Sequence, residues 1–329
     1  MASVMRIDQT SYLKPVKSLA ESEPIPSPGS GGAILKHPGI LILCRSRLIA
    51  YFQMTKPSIM LLVLITAAAA LLIEGTLTAF PGKFILFFTG LFLSGGAANS
   101  LNQYFERDID ARMSRTRCRR PLPSGKISPS EALILSIILG ISGVTILGLF
   151  FNWLTGILSL VTILFYSLFY TLYLKPTTPY NIVVGGIAGA MAPVGAWLAA
   201  TGGIAAFPCL LTLIIFLWTP PHFWALSLCF QDDYRASGYP MLPLVKGTEA
   251  TLKQIQYYAV ALLPGSLAPL LVGSGWFYLI AAVFLGLIFI KKANMARKEM
   301  TYESYWSIFK FSIFYLIALC AAMVIDRFL

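Results

Sequence analysis

From Pro57 onward the chain alternates long apolar stretches with polar breaks. Nine stretches approach or exceed the roughly 20 residues that an α-helix needs to cross the hydrocarbon core of a bilayer. They lie near 57–79, 84–106, 130–151, 153–174, 181–200, 207–230, 254–273, 275–290 and 306–325. The eighth is short and is expected to tilt or to extend at either end. The pattern predicts an all-α, polytopic membrane protein of nine transmembrane helices, occupying 41–329 behind a polar N-terminal segment, 1–40. Most connections are minimal turns, such as Phe80-Pro81-Gly82-Lys83 and Thr201-Gly202-Gly203. Two are not: the polar segments after the second and sixth stretches are long and dense in ionisable groups.

Composition agrees with a lipid-solvated chain. Of 329 residues, 57% are hydrophobic and 12% charged, against about 25% charged in an average globular protein. The formal charge of +11 invites a nucleic-acid reading, but 23 of the 25 Lys and Arg residues fall in alternate connections, on one side of the predicted membrane. This is a topology signal, with anionic lipid or an anionic substrate as a further role. It predicts a cytoplasmic N-terminus, an outer C-terminus and both polar segments on the cytoplasmic side. Residues 1–40, rich in Pro, Ser and Gly, read as a disordered tail. Asp8, Glu21 and Glu23 argue against a transit peptide and no apolar h-region precedes residue 39, so a bacterial inner membrane is the expected location. The five cysteines form no C-x-x-C pair, which supports neither a disulfide framework nor covalent cofactor attachment.

The first polar segment reads Asn99-Ser100-Leu101-Asn102-Gln103-Tyr104-Phe105-Glu106-Arg107-Asp108-Ile109-Asp110, and a basic run follows it to Arg120. On a helix, positions four apart share a face, so Asn102, Glu106 and Asp110 form one oxygen-bearing stripe. Like charges at that spacing repel unless a cation lies between them. Oxygen donors with open positions suit Mg²⁺, which takes one or two carboxylates and completes its shell with water and phosphate. The plainer alternative is a solvated helix end whose acids pair with nearby arginines.

In the second segment, Trp218-Thr219-Pro220-Pro221-His222-Phe223-Trp224 is followed by Gln231-Asp232-Asp233-Tyr234-Arg235 and Gly238-Tyr239-Pro240-Met241-Leu242-Pro243. The two prolines are expected to kink or break the sixth span, leaving His222 just past that point either as a ligand or catalytic candidate or as an ordinary packed histidine. Asp232 and Asp233 are the acids available for a second metal site. Gly185, Gly186 and Gly189 read as close helix contacts, not a phosphate loop.

These motifs resemble the UbiA superfamily of intramembrane prenyltransferases, and within it the haem O synthase branch. The superfamily's first motif, N-D-x-x-D-x-x-x-D, stands here as Asn102-Gln103-x-x-Glu106-x-x-x-Asp110, with Gln103 and Glu106 in place of aspartates. The 218–226 and 233–243 blocks are the more specific match; Lys56-Pro57, Arg115-Thr116, Arg120-Pro121-Leu122 and Asn181-Ile182-Val183-Val184-Gly185-Gly186 add to it. The likeness covers 50–325. It implies nine helices around a central cavity, with both polar segments capping its cytoplasmic mouth. It also implies transfer of a farnesyl group from farnesyl diphosphate to a vinyl group of haem B, with water added and diphosphate released.

On this resemblance Asn102, Glu106 and Asp110 hold one Mg²⁺, and Asp232 or Asp233 a second. Lys56, Arg115, Arg119 or Arg120, and Lys175 bind diphosphate, the arginine of the run being left open because Arg115-Thr116 and Arg120-Pro121 stand one residue further apart than in the branch. Asn181 and Tyr234 join the substrate-binding candidates. His222 serves as axial ligand, propionate-side contact or positioning residue for the haem. Tyr104, Tyr166 and Tyr170 are candidates to face developing positive charge, with lipid or core packing as the plainer role. Haem A synthase or an oxidase assembly factor is the implied protein partner. The alternatives are a relative of the same fold acting on a quinone precursor or chlorophyllide, and a transporter or haem carrier, which would place its ionisable groups nearer the bilayer midplane.

Overall fold

Helix signals in the sequence set where each span begins. Pro57, Pro81 and Pro129 occupy first-turn positions, where a missing N–H costs nothing. Ser128 and Glu131 form a reciprocal capping box, and Asn152 caps the next helix by accepting from Thr155 N at 2.9 Å. Gly75 and Gly202 close their helices in the left-handed conformation, at φ of 93° and 72°.

The computed structural model describes residues 40–329, and the expected tail over 1–40 lies, but for Ile40, outside the described residues. The helices, in chain order, are α1 (Ile40–Met54), α2 (Pro57–Glu74), α3 (Pro81–Asp110), α4 (Ser114–Arg117), α5 (Pro129–Phe150), α6 (Trp153–Thr177), α7 (Asn181–Thr201), α8 (Ala206–Cys229), α9 (Gln231–Ser237), α10 (Leu242–Lys246), α11 (Thr248–Val272), α12 (Trp276–Glu299) and α13 (Tyr302–Arg327). Nine of them are long and apolar enough to span a membrane: α2, α3, α5 to α8 and α11 to α13. The eighth span extends through its basic residues to Glu299, so it is not short. No strand is found among the described residues.

Three departures from the expected elements bear on the site. α3 continues to Asp110, so the whole oxygen stripe sits on one uninterrupted helix. α8 passes through Pro220 and Pro221 as a single helix, and the expected break does not occur. Each proline removes one donor and strands one carbonyl, which a long, well-packed membrane helix tolerates, and Thr219 Oγ1 donates to Ile215 O one turn back at 2.7 Å. Within α6, Phe165–Leu174 is wound as a π-helix, which shifts the register of its tyrosines.

The apolar core centres on α8, α12 and α13. Leu211, Ile214, Tyr278, Phe289 and Tyr315 are fully buried. Trp218 Nε1 donates to Ser312 O at 2.7 Å, and Tyr278 OH to Ser266 O at 2.5 Å. α3 and α5 approach almost backbone to backbone, since a Cβ built on Gly143 would stand 2.6 Å from Ser94 N. Small residues let membrane helices come this close. Likewise a Cβ on Gly185 would stand 2.3 Å from the Tyr170 ring, so the expected close contact is real there, whereas Gly189 has nothing within 4 Å.

Candidate active site

Asn102, Glu106 and Asp110 lie on one face of α3 and are 1%, 2% and 2% exposed. Carboxylates at such burial need partners. Lys175, at the end of α6, places Nζ 2.5 Å from Glu106 Oε1. Arg120 pairs with Asp110 and lies 3.6 Å from Glu106 Oε2. Lys56 donates from Nζ to Asn102 Oδ1 at 2.5 Å, and Asn102 Nδ2 donates to Thr171 Oγ1 in the π-helical turn at 3.0 Å. Three cations and three oxygen-bearing side chains, from four chain segments, thus form one cluster.

The cluster is held from behind by amides on α3. Asn99 Nδ2 donates to Thr55 O at 3.1 Å and Gln103 Nε2 to Met54 O at 2.8 Å. These bonds fix the α1–α2 junction, where Lys56 is in the left-handed region at φ 51° directly before Pro57, a strained place for a residue with a Cβ. An aspartate at 103 could not donate them, which gives the motif's glutamine a structural reason. Burial first, then the Arg120 guanidinium, push the Lys56 ammonium down to about 7, against the pull of Glu106. Burial also works against the Arg120 charge, but Asp110 and Glu106 outweigh it and hold Arg120 above its ordinary value.

Tyr239, absent from the sequence-based candidates, closes the cluster. Its ring lies 4.7 Å from Lys175 Nζ; burial, followed by the nearby Glu106 and Asp110 carboxylates, raises its pKa. Tyr166 and Tyr170 stack on one another at 5.4 Å beside the cluster, while Tyr104 turns away and covers Arg107 at 4.9 Å. Only the Gly238-Tyr239-Pro240 match hinted at Tyr239. Thr171 carried no signal, because a π-helical register is invisible to a period of 3.6.

The second segment is arranged differently from expectation. The Asp232 side chain is 97% exposed and pairs with Arg235. Asp233 accepts from Ser114 N at 2.8 Å, from Ser114 Oγ at 2.6 Å and from Arg115 N at 3.3 Å, so it caps α4 and ties the two polar segments together. Neither acid joins the stripe, and among the described residues no group of three His, Cys, Asp or Glu side chains comes together to hold a metal. Asp233 instead spends its oxygens on the start of α4. Two carboxylates and an amide remain on the stripe, a donor set that fits Mg²⁺ completed by phosphate.

The arginine run is resolved. Arg120 enters the cluster, Arg119 is exposed, and Arg115 lies over the rings of Phe230 at 4.8 Å and Tyr234 at 5.8 Å. Asn181 is buried at the start of α7, its Nδ2 donating to Thr178 O at 2.7 Å and its Oδ1 without a partner. His222 sits within α8, stacked between Trp218 at 4.3 Å and Phe309 at 4.8 Å. Its Nδ1 is 2.7 Å from Ser312 Oγ, which also lies 2.7 Å from Phe309 O; the ring tautomer follows from which of the two the hydroxyl donates to.

One turn from Asn102, a largely apolar cavity is lined from Asn99 and Tyr166 to Phe87 and Leu147 by α2, α3, α5, α6 and α7. The charged, buried cluster thus stands beside an apolar chamber.

Comparison with known proteins agrees with this arrangement. A protoheme IX farnesyltransferase of Rippkaea orientalis (strain PCC 8801 / RF-1) is 46% identical over 284 residues, covering 84% of this chain and 86% of that protein. Among solved structures, a digeranylgeranylglyceryl phosphate synthase superposes with a TM-score of 0.70 at 22% identity, covering 85% of this chain and 98% of that one. A UbiA homolog from Archaeoglobus fulgidus bound to GPP and Mg2+ gives a TM-score of 0.58 at 15% identity, covering 83% and 99%. The family model for UbiA prenyltransferases matches residues 63–322, and the chain belongs to the UbiA prenyltransferase family.

Proposed function

We propose that this chain transfers the farnesyl group of farnesyl diphosphate to a vinyl group of protohaem IX, with addition of water and release of diphosphate. The observation that carries the reading is the buried cluster of Lys56, Lys175 and Arg120 on Asn102, Glu106 and Asp110, beside an apolar cavity. The name of the relative from Rippkaea orientalis supports the choice of donor and acceptor.

Breaking the allylic C–O bond builds negative charge on the departing diphosphate. Lys56, Lys175 and Arg120 are fixed where that charge develops and need little reorganisation to meet it. Glu106, Asp110 and Asn102 would hold Mg²⁺, which when bound neutralises further phosphate charge. Lys175 and Arg120, now on the carboxylates, would pass to the phosphate. The apolar cavity keeps water from the allylic cation, and the stacked Tyr166 and Tyr170 turn electron-rich rings toward it. The vinyl terminal carbon then bonds to the farnesyl C1, water bonds to the neighbouring carbon, and its proton leaves with the diphosphate. His222 is the iron-side contact of the acceptor. Tyr234 and Asn181 line the route of the substrates.

The bundle lies in the cell inner membrane with the Lys/Arg-rich end and both polar segments cytoplasmic. The test is turnover by the purified chain with farnesyl diphosphate, Mg²⁺ and haem B. Appearance of hydroxyethylfarnesyl haem, lost on chelation, is expected. Product on 4-hydroxybenzoate or chlorophyllide with none on haem would remove the assignment.

A further inference from the structure

The basic side chains are not one anion site. Lys56, Lys175 and Arg120 are joined through Asn102, Glu106 and Asp110, and Arg115 shares none of these contacts. It forms no ion pair with any described residue, and its buried Nε has no hydrogen-bond partner. Its backbone is pinned by Asp233, whose Oδ2 accepts from Arg115 N, and its guanidinium lies over the rings of Phe230 and Tyr234, 4.8 and 5.8 Å from their centres. A cation set over two rings, partly desolvated and left with a free donor is prepared for a carboxylate or phosphate that the chain does not supply.

What surrounds Arg115 distinguishes the two anions. Phe230 is edge-on to Trp306 at 6.4 Å, Trp306 stacks on Phe309 at 5.0 Å, and Phe309 stacks on His222 at 4.8 Å. A continuous aromatic column therefore runs from the Arg115 guanidinium to the His222 ring. Diphosphate has no use for such a wall. A broad flat ring with an acidic edge does, since its face can lie along half-buried Trp306 and Phe309 while its acid meets the arginine.

From this, we infer that Arg115 anchors a carboxylate of the acceptor, and that diphosphate belongs to Lys56, Lys175 and Arg120 alone. The inference rests on the tetrapyrrole acceptor proposed above and assigns which end of it faces the polar segments.

The test measures binding to the full chain in detergent, with three probes: ferric protoporphyrin IX, its dimethyl ester, and Mg²⁺-pyrophosphate. The unaltered chain should bind the free acid about tenfold or more tighter than the ester. Arg115→Gln should erase that preference and leave pyrophosphate affinity unchanged, and Arg115→Lys should restore part of the preference, which a folding defect would not allow. Arg120→Gln should do the reverse, weakening pyrophosphate about tenfold while keeping the preference. If Arg115→Gln weakens pyrophosphate as Arg120→Gln does and the acid-over-ester preference persists, the assignment is overturned with the acceptor reading intact. If the unaltered chain binds neither porphyrin yet farnesylates another acceptor, both fall.

Discussion

Glu106 carries more of the cluster than any other side chain, because Lys175 and Arg120 converge on its two oxygens and Tyr239 stands nearby. Replacing it by Gln leaves buried cations without countercharge, and breaking a buried pair from one side costs about 3–5 kcal/mol. Glu106→Gln should therefore lower the thermal midpoint in detergent as well as abolish turnover, and adding Lys175→Met should recover part of the midpoint and none of the activity. Lys56 gives a pH signature. Its lowered value, about 7, means that it is charged below that pH and neutral above it. Pyrophosphate binding should weaken as pH rises through about 7, and Lys56→Met should flatten that step. The stripe itself was readable from spacing alone, since 102, 106 and 110 must share a helix face. Arg120 over Arg119 was not, because adjacent loop residues point apart and only the contact with Asp110 decides between them.

At the level of elements, the nine spans were legible because membrane thickness fixes their length and lipid fixes their composition. Pro220 and Pro221 misled, since a local rule about lost donors does not weigh the packing around α8. The role of Asp233 was equally hidden: sequence identifies an acid but not the backbone N–H groups that α4 turns toward it. As the tie between the two polar segments, Asp233 is a positioning residue. Asp233→Ala should cost about 1 kcal/mol, the usual worth of a helix cap, and, by releasing Arg115, raise KM for the acceptor while the Mg²⁺ concentration for half-maximal rate stays put. A large shift in that concentration would return Asp233 to the metal.

The whole molecule sets a charged cluster beside an apolar chamber, and the chamber was beyond sequence reading because five helices contribute to it. Gly189 borders it and has open space around it. Gly189→Phe should fill the chamber and raise KM for farnesyl diphosphate roughly tenfold or more, with pyrophosphate affinity unchanged and a five-carbon diphosphate less affected. The resting cluster also has a charge balance that bears on loading. Below about pH 7, where Lys56 carries its charge, Lys56, Lys175 and Arg120 face only two carboxylates, so the closed cage is surplus in positive charge before anything enters. A lone divalent ion is then disfavoured, whereas a prenyl diphosphate escorted by its ion arrives as a net anion. Titration of magnesium without diphosphate should therefore register almost no heat below that pH and more above it.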